Sequence, residues 1–156
     1  MKQFKINDEL ISKIKKLIED NNRDKLLSSL ADIHYADLAE IFELLETTEV
    51  IFLVKIFDKQ KIADALAEID EDLREIILEK LSAKEIAEKI VELDTDDATD
   101  VISELTEERQ ERVFSQIKDA ELTDDIKELL KYDEDTAGGL MAKELVSVNE
   151  LSLIHI

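Results

Sequence analysis

The apolar positions of this chain recur with a period longer than one helical turn or one strand repeat. Stepping by twelve from Phe42 reaches Val54, Leu66, Leu78, Ile90, Ile102 and Phe114. The same step from Leu45 reaches Phe57, Ile69, Leu81, Leu93, Leu105 and Ile117, and one step back from the two starting points lie Leu30 and Ile33. Every position in both columns is apolar. A third column, Asp58, Asp70, Ser82, Asp94 and Thr106, holds residue types whose side-chain oxygens accept hydrogen bonds from the free N–H groups at a helix start. Ser82 is followed three residues later by Glu85, the spacing of a capping box. Apolar residues inside each unit lie three to four apart, as a helix requires. Each unit therefore reads as a helix of about two turns followed by a tight turn.

Helices this short are marginal alone, so they must stack and bury a continuous apolar stripe. Leu38-Ala39-Glu40, Ile62-Ala63-Asp64 and Ile86-Ala87-Glu88 fall 24 residues apart, which predicts that helices stack as hairpin pairs. The fold expected is all-α, a superhelical array of short helices with a roughly 12-residue repeat. Ahead of the array, Asn7 or Asp8 is placed to cap a helix bearing Leu10, Ile11, Ile14, Leu17 and Ile18 on one face. Asn21-Asn22 breaks it, and a second helix leads to Leu30. The longest apolar stretch, residues 50–57, is interrupted by Lys55 and reads as a buried helix, too short to span a bilayer. A last helix is expected from about Thr123 to Tyr132.

Beyond Tyr132 the pattern changes. A polar run leads to Gly138-Gly139, and Leu145-Val146-Ser147-Val148 alternates like a short strand. This divides the chain into a helical domain, 1–132, and a following segment, 133–156.

Composition narrows the chemistry. The 156 residues include no proline, no cysteine and only two glycines, a composition that favours helices and excludes disulfides and thiolate chemistry. The first residues carry no apolar signal core, so secretion is not expected. A formal charge of −20 argues against nucleic acid and anionic lipid as partners and favours cations or basic proteins. With two histidines and no cysteine, no nucleophile–base pair can be assembled, and no enzymatic activity is expected. His34 reads as a turn residue beside Tyr35, and Gly138-Gly139 as a linker turn rather than a phosphate loop.

One stretch concentrates charge: Asp94, Asp96, Asp97 and Asp100 place four carboxylates within seven residues. Taken locally, this is a helix start, with Asp94 as cap and Asp96 and Asp97 complementing the helix dipole. The spacing is not that of an EF-hand, which needs a central glycine and a closing glutamate. Asp64, on a helix whose apolar face is Ile62, Ala65, Leu66 and Ile69, reads locally as a solvated surface residue.

The acidic twelve-residue repeat, the segment Asp96-Asp97-Ala98-Thr99-Asp100 and the stretch Glu134-Asp135-Thr136-Ala137-Gly138-Gly139-Leu140-Met141 together resemble the MgtE family of magnesium transporters. The resemblance covers about residues 24–150. It implies a cytoplasmic N-terminal domain, joined through 133–156 to the start of the first of two CBS domains, with a transmembrane channel beyond. It further implies a magnesium sensor: Mg²⁺ bridges carboxylates of the N domain and the CBS domains and closes the pore. The partners implied are the CBS and transmembrane domains of the same polypeptide, in a homodimer, with no membrane insertion of this part itself. A family carboxylate falls on Asp64 of Lys59-Gln60-Lys61-Ile62-Ala63-Asp64, where aspartate shortens the reach of the family's glutamate. A second falls on Asp96, and Asp97 and Asp100 complete the candidate metal set. The alternative is an acidic helical-repeat interaction scaffold, similar to the middle domain of flagellar motor-switch proteins, in which the acidic helices bind partner proteins.

Overall fold

The computed structural model describes residues 6–132, and every regular element among them is an α-helix. In chain order these are α1 (Asp8–Glu19), α2 (Arg23–Ser29), α3 (Tyr35–Glu43), α4 (Thr47–Ile56), α5 (Lys59–Glu68), α6 (Glu71–Lys80), α7 (Ala83–Ile90), α8 (Thr95–Ser103), α9 (Glu107–Phe114) and α10 (Ala120–Leu129). Among the described residues no helix is long and apolar enough to cross a membrane. The boundary placed near residue 133, the strand expected at 145–148 and the domain start expected over 133–156 lie outside the described residues.

The cap column sets the helix starts. Asp58, Asp70, Ser82, Asp94 and Thr106 occupy the N-cap positions of α5 to α9. The column also runs further back than the sequence suggested. Asn22, His34 and Glu46 cap α2, α3 and α4, so the spacing of twelve holds without a gap from residue 22 to residue 106. His34 is thus a cap as well as a neighbour of Tyr35: its Nδ1 accepts from the Ala36 N–H at 3.3 Å. The Ser82–Glu85 capping box forms, with Ser82 N–H donating to Glu85 at 2.8 Å and Glu85 N–H to Ser82 Oγ at 3.2 Å. Two expectations need correction. Asp94 and Thr106 have cap backbone geometry, but their side chains accept no capping hydrogen bond. The last helix starts at Ala120 rather than near Thr123, because Asp119 accepts from the N–H groups of Glu121 and Leu122 and launches it earlier.

The helix ends use a different device. A helix leaves its last carbonyls unpaired, and glycine in the left-handed region is the usual remedy. Among the described residues only α1 ends that way, and asparagine takes the glycine's place. Asn21 stands at φ 49°, its N–H donates to Ile18 O, and the N–H of Asn22 donates to Leu17 O, each at 2.9 Å. At five other helix ends a long side chain from elsewhere in the array reaches the carbonyls. Lys61 Nζ donates to Ala31 O at 2.7 Å, past the end of α2, and Gln60 Nε2 to Glu92 O at 2.8 Å, past the end of α7. Arg74 serves the end of α5 at Leu66 O and Ala67 O, and Arg109 the end of α6 at Leu78 O and Leu81 O. Gln110 serves the end of α8 at Ile102 O and Leu105 O.

The hairpin pairing expected from the 24-residue spacing is not what forms: among the described residues α1 with α2 is the one consecutive pair of helices in extensive contact. Helices two apart in sequence lie side by side: α3, α5, α7 and α9 form one row, while α4 packs on α6 and α8 on α10. α5 also packs on α8, which joins the rows, and α1 packs on α2 and α4. All seven positions of the Phe42 column are buried, as are Leu30, Ile33, Leu45, Ile69, Leu81 and Leu105. Phe57, Leu93 and Ile117 are partly buried and pack against the same core. Each fully buried Leu, Ile or Phe contributes about 1.5–3 kcal/mol. The stripe therefore makes stable a set of helices that would each be marginal alone.

Candidate metal-binding face

The acidic cluster lies at the first turns of α8. Thr95, Ala98 and Thr99 are buried there, with Thr99 Oγ1 donating back to Thr95 O at 2.6 Å. This anchors the inner face, so the helical period turns the intervening aspartates outward. Asp96 is half-buried, and Asp94, Asp97 and Asp100 are exposed. Partial burial pushes the Asp97 carboxyl above its ordinary range, and the charges of Asp96, Asp100, Asp94 and Glu68 push it further.

Glu68 belongs to α5, so the packing of α5 on α8 brings carboxylates of two helices into electrostatic contact. Sequence reasoning did not single out Glu68. The available signal was helical spacing, since it lies one turn beyond Asp64 on the same side of α5.

Asp64 is half-buried. Its Oδ1 accepts from Gln60 Nε2 at 2.9 Å, and the same nitrogen donates to Glu92 O. Lys59 pairs with Glu88 at 3.2 Å across α5 and α7 nearby. Gln60 was also missed, because an exposed glutamine on a first helical turn has no motif to mark it.

The donor set suits a hard cation: the oxygens are carboxylate, and neighbouring negative charges oppose one another until a cation intervenes. Among the described residues no three acidic or histidine side chains converge as a complete metal cage. Asp96, Asp97 and Asp100 share one helix start. Asp64 stands on the adjoining helix, joined to the approach of α8 through Gln60.

Away from this face, two ionisable groups are buried among the described residues. Arg74 pairs with Glu104, the C-cap residue of α8. Lys89 lies with its stem along the core of α7 (an arrangement common for long charged side chains), and burial lowers its pKa against the opposing pull of Glu85 and Glu88.

Comparison with known proteins places this architecture. None of the curated proteins compared matches the chain. Two solved structures share the fold. One, the soluble part of a magnesium transporter, aligns with a TM-score of 0.78 and 22% identity over 90% of this chain and 56% of its own. The other, the cytosolic domain of the Mg²⁺ channel MgtE in complex with ATP, aligns with a TM-score of 0.77 and 24% identity over 88% of this chain and 56% of its own. The chain thus spans a little over half the length of these structures. The family model described as the MgtE intracellular N domain matches residues 33–135, which is the array from the cap of α3 through α10. The chain belongs to the MgtE intracellular N domain family.

Proposed function

We propose that this chain is the Mg²⁺-sensing regulatory domain of an MgtE-type magnesium transporter, holding the pore shut through Mg²⁺-bridged contact with CBS domains of the same polypeptide. The observation that carries the reading is the packing of α5 on α8, which sets Glu68 of α5 against the aspartates of α8. A face of like charges is under electrostatic tension that a divalent cation relieves. Mg²⁺ retains several waters and takes one or two carboxylates, so a site completed by a second domain is weak and reversible. Such a site releases its ion when the free concentration falls. In this reading Asp96, Asp97 and Asp100 of α8 and Asp64 of α5 face the CBS domains. The domain works on the cytosolic side, within a homodimer, and performs no catalysis. Family membership favours the transporter over the interaction-scaffold alternative.

Limited proteolysis of the polypeptide extended through its CBS domains tests the proposal. Added millimolar Mg²⁺ should protect the wild type, and Asp96→Ala should need more Mg²⁺ for the same protection. Equal cleavage of the wild type with and without Mg²⁺ would overturn the sensing role.

A further inference from the structure

We infer that Gln60 is a positioning residue that couples Asp64 to the acidic start of α8, an inference that rests on the sensing role proposed above. The side chain stands on the first turn of α5, and one nitrogen serves two acceptors on different elements. Nε2 donates to Asp64 Oδ1 at 2.9 Å within α5, and to Glu92 O at 2.8 Å beyond the end of α7. A carboxylate and a carbonyl can only accept, so the amide orientation is fixed: its NH₂ group faces both partners. Each of its two hydrogens has one acceptor.

The position of Glu92 gives this bridge its meaning. Glu92 lies in the connection between Val91, the C-cap of α7, and Asp94, the N-cap of α8. The carbonyl that Gln60 holds is therefore part of the segment that aims Asp96, Asp97 and Asp100. Through one amide, the orientation of the Asp64 carboxylate is tied to the entry angle of α8. The bond claims only one oxygen of Asp64, leaving the other for an incoming cation or its water. Mg²⁺ demands near-ideal geometry, so a carboxylate already held in one rotamer binds with less ordering cost than a free one. Gln60 thus holds the two parts of the candidate site, which lie on separate helices, in a fixed mutual relation.

The test is a Mg²⁺ titration of the full-length transporter, read by protease protection, on wild type, Gln60→Met and Gln110→Met. Gln60→Met keeps the side chain's length and removes both donors. Because Gln60 is exposed, the change leaves the core intact. Gln110→Met removes a comparable pair of bonds, to Ile102 O and Leu105 O at the far end of α8, and reports general loosening. The expected result is a rise of about three- to tenfold in the Mg²⁺ concentration giving half protection for Gln60→Met, with Gln110→Met near wild type. A wild type that does not respond to Mg²⁺ overturns the sensing role, and this inference with it. A responsive wild type overturns the inference alone if Gln60→Met leaves the half-point in place, or if Gln110→Met moves it as far.

Discussion

Arg74 Nε, on the first turn of α6, donates at 2.6 Å to Oε1 of Glu104, the C-cap residue of α8, while the other carboxylate oxygen of Glu104 is buried with no hydrogen-bond partner among the described residues. The guanidinium is fully engaged, since it also holds Leu66 O and Ala67 O at the end of α5. Three helices thus meet on one arginine, and the carboxylate opposite is only half satisfied.

Breaking that pair should cost more than replacing it. Glu104→Leu leaves the Arg74 charge without its counterion among apolar neighbours, which costs about 3 kcal/mol. Arg74→Met combined with Glu104→Leu removes both charges, and its loss should be clearly smaller than the sum of the two single losses. Urea unfolding of the four proteins in a double-mutant cycle measures the difference. Additive losses would show that the pair contributes nothing.

Glu104 also predicts a pH dependence. Burial raises its pKa, opposed by the hydrogen bond and charge of Arg74 and reinforced by Glu71 and Glu75. The folded state therefore binds this proton more tightly than the unfolded state does. Its contribution to stability is present below the ordinary glutamate pKa and is lost as pH rises through the folded value. Glu104→Gln should flatten that fall. Urea midpoints of wild type and variant, measured at steps from mildly acidic to neutral pH, give the two slopes, and parallel slopes would contradict the assignment.

On the acidic face, Asp97→Asn should stabilise the chain without Mg²⁺, because it removes one charge that Asp96, Asp100, Asp94 and Glu68 oppose. The side chain is exposed, so the gain is modest, about 0.5 kcal/mol. It should shrink as salt is added. Thermal melting at low and high ionic strength separates this from a packing effect, which salt would leave unchanged.

The cap column offers an internal contrast. Ser82→Ala removes the hydroxyl that accepts from the Glu85 N–H and donates to Glu85 Oε2, and should cost about 1 kcal/mol. Asp94→Ala removes a side chain that makes no capping bond and relieves charge at Asp97, so it should cost little. Equal losses in chemical denaturation would mean that position in the repeat, rather than hydrogen bonding, sets the cost.

The array itself was legible in the sequence because one period governs both burial and capping. Phe42 and Ile102 lie five units apart and occupy equivalent buried positions. Caps were harder to read where the residue type was unusual, as with His34 and Glu46, or where a favourable type made no bond, as with Asp94. Apart from the Asn21-Asn22 break that closes α1, the helix ends were not legible. Arg74, Arg109, Gln60 and Gln110 reach carbonyls on other helices or turns, and no local pattern announces a bond whose partner is set by packing. The site was visible as a run of aspartates on α8. Its connection to α5 through Glu68 and Gln60 depends on which helices adjoin, and spacing along the chain does not carry that information.

The row formed by α3, α5, α7 and α9 also constrains how such a chain can change length. Adding or removing one unit of twelve would shift each later helix into the opposite row and present the wrong donors to every waiting carbonyl. A duplicated or deleted pair of 24 residues restores both row and register. Relatives of this domain should therefore differ in array length by whole pairs, and the joints where pairs were gained or lost should fall at the N-cap residues.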